Sequence, residues 1–598
     1  MTQPVASEKF SELMMDWLVE LGYTHCFFVA GGNIMHLLDG ARTRMKCIPV
    51  VHEVAAGIAA EYFNESGGEG RAFALVTAGP GLTNIVTALG GAWLESRELL
   101  VIGGQVKSSD LASGGLRQRG IQEIDGVAIT RPITVKSVRI EAPVSRAEFM
   151  DWVAKGRQGR PGPVFLEVCL DAQGARVDAA SINQASPLPD CGPGSQDIAA
   201  ARAGADEVIG LLRESSRPVL LIGGGVSRAS AAALLPILGR CGIPVMTTWN
   251  GADRVPCDHP LYFGRPNTWG QRAANVLLAQ ADLIVALGTR LGLQQTGFNW
   301  QEFGRSGRVV QIDIDQSELD KGHPRVHLSL RGDANTLLAQ ILATTYPDYS
   351  EWVSFCRHVS EVLPLREAAN TTRAGYVCPY QFYLDLSHLA AADDIVIPCS
   401  SGGANSVAMQ ALRQKRGQIV VTNKGLASMG YGLSGAIGAA FGHPGRRTLL
   451  IEGDGGFIQN LQELATVAVN NLNIKIFIFS NEGYGSIRMT QKNYFGGAYL
   501  GCDMKTGLGF PDWPLLFAAF HIPLLELKPD WQDDPDFAAA IQRQGPHGFI
   551  VPIDPEQTYW PKITSRLTAN GGMESQPLYS MTPDLPRDVA DSVLRFLE

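Results

Sequence analysis

Thr448-Leu-Leu-Ile-Glu-Gly-Asp-Gly-Gly-Phe457 joins an apolar run, a glycine-flanked carboxylate and the start of a helical period. Leu461, Leu464, Val467 and Ala468 continue that period, and Ile474–Phe479 supplies a second apolar run ending in Ser480-Asn481-Glu482-Gly483. Strand, helix and strand in this order predict a parallel unit. Both strand ends then meet at one sheet edge, where open α/β sheets bind ligands. One carboxylate (Asp454), one amide oxygen (Asn481) and a nearby backbone carbonyl form a sparse oxygen set, which Mg²⁺ accepts when a phosphate completes its octahedron. Gly453, Gly455 and Gly456 let backbone approach that phosphate. Gly-Asp-Gly alone is equally explained by an Asp capping the following helix.

The same alternation recurs along the chain, in Ala72–Val76, Leu99–Ile102, Val164–Val168, Val219–Ile222, Leu283–Leu287, Val309–Ile314 and Ile395–Ile397. Most of these runs are continuously apolar, as strands buried on both faces of a parallel sheet are. Of 598 residues, 45% are hydrophobic and 18% charged, with 66 Gly, which excludes a disordered chain. The length predicts several cores. Connections rich in Ser, Pro, Gly and Asn at Asp178–Asp197 and near Ala369–Pro379 divide the chain. The expected domains are 1–180, 198–350 and 370–557. The tail 558–598 is poor in strands, and reads as a lid or a surface extension.

A net charge of −9 argues against a dedicated nucleic-acid binder. The ten cysteines form no CxxC pair, and Met1–Phe10 shows no basic segment leading into an apolar stretch. No apolar run is long enough to span a bilayer. A cytoplasmic protein without membrane partners is expected.

In the first block a short strand ends at His52, and Glu53 opens an apolar helix through Val54, Ile58, Ala59 and Tyr62. An acid there is also explained by the helix dipole alone. Thr77-Ala-Gly-Pro-Gly-Leu-Thr-Asn84 and Gly103-Gly-Gln105 follow buried runs, with Gly31-Gly32 before them and Gly120-Ile-Gln-Glu-Ile-Asp-Gly126 after. Gly425-Leu-Ala-Ser-Met-Gly-Tyr-Gly-Leu-Ser-Gly-Ala-Ile-Gly438 precedes the Gly-Asp-Gly motif. In order and spacing these strings, with Asn481, resemble the acetohydroxyacid (acetolactate) synthase group of thiamine diphosphate enzymes, over roughly residues 8–550.

That resemblance implies an α/β fold of three doubly wound parallel-sheet domains: pyrimidine-binding, central and diphosphate-binding. It makes Glu53 the acid that promotes the imino tautomer of the aminopyrimidine ring. Gln122 would lie near the substrate, and Gly31 and Gly32 would turn N–H groups towards a developing oxyanion. Gly79, Asn84, Gly403, Asn405, Ser428, Tyr484, Gly485, Ser486 and Ile487 would contact the cofactor, with Met429 as the apolar prop that bends it. Asp454, Asn481 and the backbone oxygen of Gly483 would hold Mg²⁺. Sites shared between subunits are implied, in a homodimer or homotetramer.

Departures fall on the substrate side. Thr490 stands at the position of a Trp that favours a larger acceptor, Ile121 replaces a Phe, and Ala404-Asn405 replaces Gln-His. The strings Tyr484–Phe495 and Lys562–Leu567 look like thiamine enzymes of unusual sugars and secondary metabolites. Arg488 and Lys492 are candidate partners for an acceptor carboxylate or phosphate, or simply solvated cations. Arg217–Ser227, Leu287-Gly-Thr-Arg290 and Val310–Asp315 resemble a central domain that carries FAD in the synthases. Leu293-Gln294-Gln295 lacks the acidic pair of flavin-containing members, so FAD and an empty fold both stay open. The implied function is a carboligase that decarboxylates a 2-oxo acid, pyruvate first, and transfers the acyl unit to a carbonyl acceptor. A lyase or hydrolase of a 1,2-dione or acyloin is the alternative. A silent regulatory subunit ranks below both, because Glu53, Asp454 and Asn481 are all present.

Overall fold

The computed structural model describes residues 7–184, 187–567 and 572–597. The first six residues, and small parts of the Asp178–Asp197 connection and of the tail, lie outside the described residues. Three parallel sheets organise the chain. Strands of the first run in the order Lys46–Pro49, Tyr23–Phe28, Arg71–Val76, Leu99–Gln105, Pro163–Cys169 and Lys136–Ile140. The second is ordered Val245–Thr247, Pro218–Ile222, Leu283–Leu287, Arg308–Asp313 and Leu328–Arg331. Ile419–Val420, Ile395–Ile397, Thr448–Gly453, Ile474–Ser480, His547–Pro552 and Leu524–Glu526 form the third. Every ladder within these sheets is parallel. The three-sheet α/β architecture expected from the apolar runs is the one observed. Leu99–Gln105, Pro163–Cys169 and Leu283–Leu287 are buried at every position, which is why their sequences do not alternate.

Helices Glu53–Glu65 and Tyr431–Gly442 join the first and third sheets through glycine contacts. A Cβ on Gly438 would lie 2.0 Å from the Ala59 carbonyl oxygen, so the two backbones touch only because it is absent. The same interface buries charge. Glu61 is fully buried and accepts hydrogen bonds from Arg97 at 2.9 Å, Tyr431 at 2.8 Å and Asn423 at 3.1 Å. Arg97 also donates to the Thr422 carbonyl at 2.6 Å. Burial raises the Glu61 pKa, and Arg97 opposes that rise. Removing one partner leaves an uncompensated buried charge, so Arg97→Met is expected to destabilise by about 3–5 kcal/mol. Thermal and urea unfolding midpoints check this, and unchanged midpoints would show that the pair does not hold the two domains together.

In the central domain Gly223 and Gly225 pack directly on Gly288. A Cβ on Gly225 would lie 2.8 Å from the Gly288 Cα. The carboxyl-terminal segment packs on this domain. Leu578 and Val593 enter its core, and Gln280 donates to the Val593 carbonyl at 2.9 Å and accepts from the Phe596 N–H at 2.8 Å. No helix among the described residues is long and apolar enough to cross a membrane.

Candidate functional site

Gly453 and Phe479 are register partners at the ends of adjacent parallel strands, so Asp454 and Asn481 leave the same edge of the third sheet. Asp454 is buried, and its carboxylate accepts N–H bonds from Gly455 at 2.7 Å, Asn481 at 2.9 Å and Gly483 at 3.3 Å. Burial pushes its pKa up to about 6, while these N–H groups oppose the shift. The Asn481 side-chain oxygen is buried and has no hydrogen-bond partner among the described residues. A buried carboxylate beside an orphaned amide oxygen is a donor set suited to a hard cation.

Glycine makes these loops possible. Gly483 has φ +155°, and a Cβ there would stand 2.1 Å from the Cys502 carbonyl oxygen. At Gly455 it would lie 2.4 Å from the Tyr484 ring. Arg488 is buried and donates to the Asn481 carbonyl at 2.7 Å, while Lys492 pairs with Glu556 at 2.5 Å. The two cations proposed for an acceptor therefore already have partners: one braces the loop and the other lies on the surface.

Beside this group lies a cavity of about 160 Å³ whose wall includes Gly403, Lys424, Ser486, Met489 and Tyr559. Helices Gly402–Ala411 and Gly485–Tyr494 begin at it, and free N–H groups at a helix start suit phosphate. Asn405, fully buried, donates to the Pro398 carbonyl at 3.0 Å and the Thr422 hydroxyl at 2.8 Å, while its amide oxygen has no hydrogen-bond partner among the described residues. Ser428 offers its carbonyl to the Ser400 hydroxyl. Gly453 has open space around its Cα, and Gly456 packs on Glu452. The Met429 and Ile487 side chains are partly exposed.

A second group gathers on the first sheet. Glu53 is the first residue of its helix, and the His52 ring caps it by accepting the Val54 N–H at 3.2 Å. The buried Glu53 carboxylate accepts from the Asn84 amide at 3.0 Å. Gly79, at φ +65°, presses on Gln122, and a Cβ on it would lie 2.5 Å from the Gln122 carbonyl oxygen. Gly31 sits against Thr77, whereas Gly32 and Gln122 are exposed. Ile121, beside Gln122, is 84% exposed. The hydrogen bond of Glu53 among the described residues is to Asn84, not to any member of the Asp454 group.

Three neighbours escaped the sequence reading. Glu463, fully buried in the third domain, accepts N–H bonds from Val51 at 3.1 Å and His52 at 3.0 Å, holding the backbone just ahead of Glu53. A carboxylate inside the apolar period Leu461, Leu464, Val467 was the available signal. Lys424 and Tyr559 reach the cavity from separate segments, and nothing local marks them.

Three family models match the chain in order. They are the thiamine pyrophosphate enzyme N-terminal TPP binding domain over residues 8–129, the central domain over 205–341 and the C-terminal TPP binding domain over 400–551. Acetolactate synthase isozyme 1 large subunit of Escherichia coli is 28% identical over 92% of this chain and 95% of that protein. Acetolactate synthase large subunits of Corynebacterium glutamicum and Pyropia yezoensis are each 30% identical, over 83% and 94% of this chain and 79% and 95% of their own lengths. With three matched domains in the expected order and similarity along nearly its whole length, the chain belongs to the thiamine pyrophosphate enzyme family, in its acetolactate synthase-like group.

Proposed function

We infer that this protein is a thiamine diphosphate- and Mg²⁺-dependent carboligase that takes a 2-oxo acid donor, pyruvate in the simplest case, and passes its acyl unit to a carbonyl acceptor. The observation that carries this reading is the orphaned Asn481 oxygen beside the buried Asp454 carboxylate, on a sheet edge next to a cavity where two helices begin. Those donors fit the implied group. Asp454, Asn481 and the Gly483 carbonyl would hold Mg²⁺, and Gly403, Gly485 and Ser486 would line the diphosphate. When bound, thiamine diphosphate supplies a nucleophilic carbon and an electron sink for decarboxylation.

The chain's own residues then have defined tasks. Glu53 exchanges a proton with the aminopyrimidine ring, and Asn84 orients its carboxylate. Gly31 and Gly32 direct N–H groups towards oxyanion charge. Met429 would prop the bend of the cofactor, Ile487 would lie beside it, and Gln122 would meet the substrate. Glu53 belongs to the first domain and Asp454 to the third, while Ile121, Met429 and Ile487 are exposed. This arrangement supports a site completed by a second copy, in a homodimer or homotetramer, and light scattering on the active protein tests that. The central glycines Gly223, Gly225 and Gly288 are accounted for by packing on one another.

Protein supplied with pyruvate, thiamine diphosphate and Mg²⁺ is expected to release CO₂ and form acetolactate or acetoin. Dialysis against a chelator should abolish this, and Mg²⁺ should restore it. Cofactor binding without CO₂ release would remove pyruvate as donor, and a failure to bind the cofactor would overturn the reading. Glu463→Gln exchanges an acceptor oxygen for an amide donor facing the Val51 and His52 N–H groups. It is expected to lower kcat about 10–100-fold through the placement of Glu53. Cofactor affinity, followed by fluorescence titration, should change little. An unchanged kcat would show that Glu53 does not depend on this support.

A further inference from the structure

The cavity beside the Asp454 group is flanked by two cations that form no ion pair among the described residues. Lys424 lies on its wall, half-buried, with its ammonium 5.6 Å from the centre of the Trp249 ring. Lys562 is 7% exposed, and its ammonium is held 5.0 Å from the Trp269 ring centre and 4.9 Å from that of Trp560. Its hydrogen-bond partner is the Met489 sulfur at 3.4 Å. Trp269 and Met489 both line the cavity. Among the described residues neither ammonium forms an ion pair or a hydrogen bond to oxygen.

Elsewhere the chain treats a buried lysine differently. Lys475, fully buried, donates to the carbonyls of Arg543 at 2.5 Å and Gly545 at 2.6 Å. Burying an ammonium without such oxygens is costly, and indole faces and a thioether offset only part of that. Burial accordingly lowers the pKa of both Lys424 and Lys562, at Lys424 against the opposing pull of Cys399 and Glu95, neither of which pairs with its ammonium. The missing negative charge is therefore expected from a ligand. Lysine is a compact point charge suited to phosphate and carboxylate oxygens.

We propose that Lys424 and Lys562 form a two-cation seat for a phosphate or carboxylate group drawn into the cavity between Trp269, Met489 and Tyr559. The anion comes either from the cofactor's diphosphate or from a negatively charged acceptor. Lys562, whose ammonium donates to the Met489 sulfur on the cavity wall, anchors the carboxyl-terminal segment to the occupied site. Identification of those two sources rests on the function proposed above. The seat itself does not, because inorganic pyrophosphate probes it without cofactor.

The three indoles beside the two ammoniums make the test spectroscopic. Pyrophosphate added to cofactor-free protein is expected to change tryptophan fluorescence saturably. Binding should weaken about tenfold or more in Lys424→Met and in Lys562→Met, and Lys562→Arg, which keeps the charge, should lose less than Lys562→Met. A parallel loss for thiamine diphosphate, but not for thiamine, assigns the seat to the cofactor. Unchanged thiamine diphosphate binding, with KM raised for a charged acceptor and not for a neutral one, assigns it to the acceptor. If both Met variants match the wild type for pyrophosphate, thiamine diphosphate and KM, the proposal is overturned and the cations merely clamp the tail. Wild-type binding of pyrophosphate but not of thiamine diphosphate would sink the cofactor reading and leave the seat standing. Lys424 and Lys562 lie on different segments, so if one variant does not fold the other still decides.

Discussion

Glu53→Gln is expected to lower kcat for CO₂ release by about 10²–10⁴-fold, the usual worth of a positioned general acid–base group. Thiamine diphosphate and Mg²⁺ affinity should stay within a few-fold of wild type. The physical basis is local. Glu53 is buried at the start of its helix, and its carboxylate is fixed by the Asn84 amide at 3.0 Å and by backbone that Glu463 holds. Gln preserves volume and one acceptor oxygen, so packing survives, but it cannot exchange a proton. Steady-state kinetics together with a cofactor titration separate the two effects. Near-wild-type turnover would remove Glu53 from the mechanism, whereas loss of folding would show as a lowered thermal midpoint.

Asp454→Ala should have the second large effect, a loss of Mg²⁺-supported cofactor binding of about 100-fold or more, at the upper end of what disturbed metal surroundings cost. The carboxylate has two tasks. It is the one charged member of the proposed metal set, and it gathers the N–H groups of Gly455, Asn481 and Gly483. Ala removes both and leaves those donors buried without acceptors. Gly455→Ala gives an independent check, because it leaves the carboxylate in place but drives a methyl into the Tyr484 ring. Isothermal titration with thiamine diphosphate at fixed Mg²⁺ should register both losses. Unimpaired binding in Asp454→Ala would exclude this edge as the metal site.

The sheets were legible because a strand covered on both faces must be apolar at successive positions, as Leu99–Gln105 and Leu283–Leu287 are. Asp454 and Asn481 were legible for a related reason, since both stand immediately after such strands and parallel register carries them to one edge. Asn405 shows what motif reading leaves out: its amide nitrogen is spent on Pro398 and Thr422, while its buried amide oxygen has no hydrogen-bond partner among the described residues. Arg488 and Lys492 each stand on the helix after the Asn481–Gly483 loop, and only tertiary neighbours reveal one as a loop brace and the other as a surface partner of Glu556.

By itself the sequence determined what depends on short-range order: strand and helix type, the glycines that turns require, and the carboxylate and amide at strand ends. Tertiary structure alone decided the rest. It brought Glu463 to the backbone ahead of Glu53, Tyr559 to Gly403, and Lys562 into contact with Trp269 and Met489. These contacts join residues far apart in the chain, and no local pattern encodes them. They arise because three separate sheets and a returning tail must bury their remaining faces against one another, and the burial that results sets the electrostatics at the cavity.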